Sequence, residues 1–312
     1  MRREGSPWQG LGVVVLKELS DHFGSVRMRV LEWLVVLTAL AAVYGAIQQI
    51  RAVTAEDPFL FLHLFTTARE PLPSFVSFLA FLVPLMAIGL GFDAVNGEHS
   101  RRTLSRILSQ PIYRDALLFG KFIAALTTLA VSLIALWLLV IGLGIIMLGV
   151  PPGGEEMARA FTLLVVTIAY AGVWLALAML FSIIFRSAAT AALVTLGLWL
   201  FLTVIWPALA PAIAEAVVWS NDQATLVITA QMLARLSPST LFGECVMAIV
   251  HPTTRTLGPI YIDQLQGAVM GSPLPFWDSV MVAWPQIVGL IAATILLFVG
   301  GYVVFQRQEV RA

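Results

Sequence analysis

Six runs of apolar residues, separated by polar breaks, reach the length a helix needs to cross a bilayer. They fall near residues 30–47, 75–92, 117–150, 161–185, 188–213 and 284–305. A hydrocarbon core of roughly 30 Å takes about 20 helical residues. Lipid offers the backbone no hydrogen-bond partner, so helix is the expected form for each run. The third run is overlong: at ~1.5 Å per residue it would extend about 50 Å. Its start, around Lys121, Thr127 and Thr128, is therefore expected at the membrane surface. The fourth and fifth runs form a tight hairpin whose one charged corner residue is Arg186.

Three polar stretches carry patterns of their own. In residues 1–29, Trp8, Leu11, Val15, Leu19 and His22 recur at helical spacing, with Gln9, Lys17, Ser20 and Asp21 elsewhere on the wheel. That narrow stripe predicts an amphipathic helix lying in the membrane surface rather than an extension of the first span. Between the second and third spans, residues 93–115 form a compact charged loop. Within it Leu104, Ile107 and Leu108 line one helical face and Arg101, Arg102 and Arg106 another, until Pro111 ends the pattern. Residues 214–283 form an insert before the sixth span, with two helix-like stretches, 224–236 and 240–250, joined by a Ser237-Pro238 break. The remainder, 251–278, is rich in Pro and Gly and reads as loop. Periodicity leaves open whether the insert re-enters the membrane or caps the bundle. Residues 284–312 hold the sixth span and a tail.

Composition fixes the class. Hydrophobic residues make up 59% and charged residues 12%, with a mean hydropathy of +0.92; a soluble chain is nearer half apolar and about a quarter charged. The expected fold is an all-α membrane protein of six transmembrane helices. It carries the amino-terminal surface helix, a cytoplasmic helix after the second span, and an outer helical insert. Thirteen of the eighteen Lys and Arg residues fall on one side of this map. That side is expected to be cytoplasmic, which puts both termini inside a multi-pass protein of the cell membrane. A single cysteine, Cys245, precludes a disulfide within the chain. No secretory signal pattern follows Arg2 and Arg3.

No enzymatic constellation is visible, so catalytic, cofactor-binding and metal-binding residues are all expected to be none. Of the four histidines, His22 and His99 fall inside and His63 and His251 outside, with none at mid-membrane, where a haem would need ligands. His63 and His251 are placed to share an outer metal only if their loops meet; loop histidines are ordinarily surface residues. Gly120-Lys121 is not a phosphate loop, because Asp115 stands at the upstream glycine position and Phe122 follows the lysine. Any ATP hydrolysis driving this chain belongs to another polypeptide. Ion-coupled carriers keep charged groups along their route; here Glu32 lies at the inner edge of the first span, and the others carry none deep in the lipid. Ala87/Gly91 and Gly289/Ala293 have the spacing that lets helices approach closely. No nucleic-acid partner is expected.

The charged loop carries Asp93, Glu98, Thr103-Leu104, Leu108-Ser109-x-Pro111, Arg114 and Gly120-Lys121 in order. This arrangement resembles the permease subunits of type-2 ABC exporters. Lys17-Glu18-Leu19, Phe185-Arg186-Ser187 and Ser237-Pro238 match more loosely. The order of elements agrees over essentially the whole chain. His99 stands where the family commonly has Arg, and Arg102 where it has Gly; both changes leave the helical face intact. Residues 81–93 and the long insert look most like the nitrous-oxide-reductase maturation subgroup. The resemblance implies a dimer of permeases in the lipid bilayer, expected to be identical copies. Each would be bound to a cytoplasmic ABC ATPase that holds ATP and Mg, this chain having no cofactor itself. Coupling to the ATPase would fall to Asp93, Glu98, Arg101, Arg102, Thr103, Leu104, Ile107, Leu108, Pro111 and Arg114. The expected function is export by alternating access. Its rival is a non-transporting scaffold that passes ATPase-driven motion to an extracytoplasmic protein.

Overall fold

The computed structural model describes residues 8, 10–52, 59–70, 72–100, 113–218, 222–257 and 273–308. Those residues are overwhelmingly helical. Helix α1, Leu11–Gly24, starts at Gly10 in the left-handed region (φ 87°). Ser25 then divides it from α2, Val26–Ala52. The Ser25 hydroxyl donates to the His22 carbonyl (2.8 Å) and accepts from the Met28 N–H (3.1 Å), closing one helix while opening the next. A short helix α3, His63–Thr66, precedes α4, Phe75–Gly91, whose first turn is capped by Ser74. The one-turn α5, Asn96–Ser100, leads toward the charged loop, and α6, Arg114–Leu148, ends at Gly149 (φ 75°). Then follow α7, Gly154–Ile184, and α8, Ala188–Leu200. A π-helical segment, Phe201–Ile205, joins α8 to α9, Trp206–Val217. The chain continues through α10, Gln223–Ala234, α11, Pro238–Val250, and α12, Phe276–Arg307. Among the described residues six stretches are long and apolar enough to span a membrane, carried by α2, α4, α6, α7, α8–α9 and α12.

Helix α7 is the axis of the bundle. In its most apolar stretch 78% of residues are buried within the protein, against 17% for the fifth span and 11% for the sixth. Trp174 and Tyr170 of α7 are fully buried. Small residues set its contacts: a Cβ on Gly91 of α4 would lie 2.8 Å from the Ala178 Cβ, so only glycine permits this approach. Gly289 of α12 is looser, its Cβ position lying 3.3 Å from Leu241.

Two spans begin about two turns earlier than their apolar runs suggest, at Gly154 and Phe276. Glu156 explains the first. One carboxylate oxygen accepts from the Gly153 N–H (2.7 Å) and the other from the Phe61 N–H (2.8 Å), which makes a polar first turn stable and ties it to the 59–62 loop. The early start draws Arg159 into the protein, where it is fully buried. Its guanidinium donates to Glu155 (2.8 and 3.1 Å), the carbonyls of Ile249 (2.8 Å) and Leu274 (2.6 Å) and the Ser279 hydroxyl (3.0 Å), under the Phe59 ring (5.7 Å). A buried charge thus stands in the fourth span's helix, whose apolar run shows none.

The insert enters the bundle. Helices α10 and α11 are bent by 110° at the break around Ser237. Helix α11 then runs antiparallel to α7. Its carboxyl end meets Arg159, whereas near its start Ser239 bonds the Tyr170 hydroxyl (2.9 Å) and Phe242 stacks on the Tyr170 ring (4.5 Å). From Arg159 to Tyr170, α7 rises roughly 16 Å, so α11 begins at that depth. The π-helical segment brings Thr203 to the same Ser239 hydroxyl (2.8 Å). Beside it Glu244 pairs with Arg235 (2.9 Å) and accepts from Gln286 of α12 (2.9 Å).

Candidate functional site

At the end of the bundle that carries α1, charges cluster around Lys121. Its ammonium lies 2.7 Å from Glu98 of α5 and 3.0 Å from Glu18 of α1, and all three side chains are close to buried. Lys17 reaches the same Glu18 oxygen (2.8 Å) and Asp21 (3.1 Å). Burial alone would raise the Glu18 carboxyl, but the Lys121 and Lys17 ammoniums outweigh it and hold the group below its usual range, so it is ionised. His22 is held low, by burial first and then by Lys121 and Arg27, and is neutral near pH 7. Gly120 makes the cluster possible. A Cβ there would sit 2.6 Å from the Val14 Cγ1, so α1 lies directly on the α6 backbone.

The 92–100 segment is fixed on three further sides. Arg27 makes two bonds to Asp93 (3.0 and 3.2 Å) with its guanidinium over the Phe92 ring (5.0 Å). The Ser182 hydroxyl of α7 accepts from the N–H groups of Val95 (3.0 Å) and Asn96 (3.2 Å). Asn96 donates to the carbonyls of Phe92 and Phe185, both at 3.2 Å. Arg114 donates to the Gln308 carbonyl (3.1 Å), and Asp115 accepts from Tyr302 (3.0 Å), so α6 and α12 are joined at the same end.

Asp93, Glu98 and Arg114 therefore each engage another part of this chain. Arg101, Arg102, Thr103, Leu104, Ile107, Leu108 and Pro111 lie outside the described residues. Glu18, Lys121 and Ser182 join the site although periodicity did not single them out for it. The α1 face differs from the stripe read off the sequence: its buried line runs through Val14 and Glu18, with Leu11, Val15, Leu19 and His22 only half-buried. The signal was available in Glu18 itself, a carboxylate one turn from Val14 on a helix with a narrow apolar face. Replacing Lys121 with Met keeps the stem and leaves two carboxylates facing each other. We expect amide hydrogen exchange in α1 of K121M to quicken by at least about tenfold, equivalent to ~1.4 kcal/mol. E98Q in the same chain should restore most of the protection; unchanged exchange in K121M would show that the ion cluster does not hold α1.

At the opposite end, His251 is held below its ordinary range by burial and then by His63. Among the described residues no group of three or more metal-ligating side chains converges there or elsewhere.

The comparisons with known proteins bear on the whole chain. Residues 13–310 match the family described as ABC-2 family transporter protein. The chain is 31% identical over 121 residues to the probable ABC transporter permease protein NosY of Stutzerimonas stutzeri, covering 39% of this chain and 40% of that protein. It is 41% identical over 59 residues to the protein of the same name from Pseudomonas aeruginosa, covering 19% and 22%. These alignments span less than half the length of either relative. With the family match extending over six membrane-crossing helices, the chain belongs to the ABC-2 family of transporter proteins, as a multi-pass membrane subunit of the permease type.

Proposed function

We propose that this chain is the permease subunit of an ATP-driven exporter, working by alternating access with a separate cytoplasmic ABC ATPase that binds ATP and Mg. The observation that carries the proposal is the Glu98–Lys121–Glu18 cluster. Through it the segment entering the 101–112 loop is tied to α1 and to the third span, while Arg27–Asp93 and Ser182 tie it to the first and fourth. A displacement of that loop is thereby passed to four membrane elements at once. The basic excess around it supports a cytoplasmic place for this end in the proposed reading, and with it for both termini. Asp93, Glu98 and Arg114 act in this reading by positioning the loop, and Leu104, Ile107 and Leu108 by entering a groove of the ATPase.

A permease of six spans forms half of a translocation path, so the working unit is two identical permeases and two ATPases. The native mass of the complex purified through a tag on this chain tests the reading. The mass of two permeases plus two ATPases is the expected result; a single permease, or no ATPase, overturns it. A further extracytoplasmic protein in stoichiometric amount would instead favour the mechanical scaffold.

A further inference from the structure

A cleft of about 260 Å³ opens on the side of the bundle between α2, α4 and α6, with Phe23 of α1 at its edge. Val35, Val36, Met86 and Leu136 are among the apolar residues that line it, and Glu32 and Ser132 are the only polar ones. The Ser132 hydroxyl donates to Glu32 Oε1 (3.0 Å). No Lys, Arg or His forms an ion pair with Glu32 among the described residues. Glu32 lies five residues beyond Arg27 on α2, roughly 7 Å deeper than the Arg27–Asp93 pair. In the sequence map Glu32 stands at the edge of the first apolar run, where headgroups meet acyl chains.

A carboxylate accepts up to about four hydrogen bonds, and a single neutral hydroxyl leaves this one undersupplied in a place where charge is costly. We infer that the cleft binds a phospholipid bearing a primary-ammonium headgroup, with its ammonium on Glu32 and one acyl chain along the apolar wall. An ammonium supplies both the opposite charge and several N–H donors. A quaternary ammonium brings the charge without the donors, and an anionic headgroup is repelled. The cleft is too small for a whole lipid but fits a headgroup and the first part of a chain, the remainder lying in the bilayer. Assigning the lipid to the inner leaflet rests on the orientation proposed above; the site itself does not.

The test uses the full chain in nanodiscs that contain one photoactivatable lipid in both leaflets, so neither orientation nor the ATPase affects the outcome. The probes are diazirine-acyl phosphatidylethanolamine, phosphatidylcholine and phosphatidylglycerol, and labelling is mapped onto residues 131–139. Phosphatidylethanolamine is expected to label about tenfold more than phosphatidylglycerol, which corresponds to ~1.4 kcal/mol, with phosphatidylcholine between them. Glu32→Gln keeps the volume and should abolish the preference, leaving labelling by the acyl chain alone; Ala135→Trp should fill the cleft and remove both. Equal labelling by the three lipids overturns the inference, and so does a preference that survives Glu32→Gln. No labelling by any lipid does the same, since another segment or a second copy of the chain would then cover the cleft. Because the unmodified chain alone distinguishes the three lipids, misfolding of a variant cannot rescue the inference.

Discussion

Replacing Leu104 and Leu108 with aspartate is expected to release the ATPase while leaving the protein in the membrane. Both residues fall on the apolar face of the charged loop, between the spans and outside them. If that face enters a groove, each substitution removes a central anchor, at a typical cost of ~2 kcal/mol or more, and buries an unpaired charge besides. At ~1.4 kcal/mol per tenfold, affinity should fall by well over an order of magnitude. Arg106→Ala should do far less, because a rim charge is screened by water and salt. Co-purification with the ATPase and stimulation of its turnover are the measurements. A double variant that retains and stimulates its ATPase would reduce the loop to a cap on the bundle and remove the central functional claim.

The second large effect is expected at the other end. Arg159→Met preserves the length of the stem but strips every donor from a fully buried site. The carbonyls of Ile249 and Leu274 lose their shared partner, at about 1–3 kcal/mol each. Glu155 escapes to water more easily, being partly exposed. The sum, about 2–6 kcal/mol, brackets the ~3–5 kcal/mol typical of breaking a buried charged pair. Thermal unfolding of the purified protein should drop by at least about 5 °C. Arg159→Lys should recover only part, since an ammonium cannot present the planar fork that reaches α11, α12 and Glu155 together. An unchanged transition in R159M would mean the network contributes nothing net.

The six spans were legible because runs of apolar residues that long have few other readings, and the break at Ser237-Pro238 was legible from turn chemistry. Less could be read where the decisive partner is remote. Arg159 sits among polar residues ahead of an apolar run and looks like a loop residue until Glu156 caps the helix around it. Glu98 was read as a coupling residue of the charged loop; its partner Lys121, and Glu18 beyond it, lie far from it along the chain. The depth of α11 was invisible for a related reason. Its place is set by Tyr170 and Arg159, and periodicity says only that it is a helix. Of the expected coupling residues, the stretch from Arg101 to Pro111 rests on sequence alone, and Asp93, Glu98 and Arg114 are seen bonded to Arg27, Lys121 and Gln308.

The π-helical segment Phe201–Ile205 makes the length of the fifth span unforgiving. A π turn accommodates one residue more than an α turn, so deleting a single residue there would let the span close into continuous α-helix. Helix α9 would then rotate by about 100° against α10 and α11, which are packed into the bundle. Trp206 would swing away from the Leu233 carbonyl that now holds α9 to α10 (2.8 Å), and Thr203 would leave Ser239. Among related chains, a one-residue gap in this stretch is therefore a change of angle rather than of length. An alignment that places such a gap freely along the fifth span would pair residues that point in different directions.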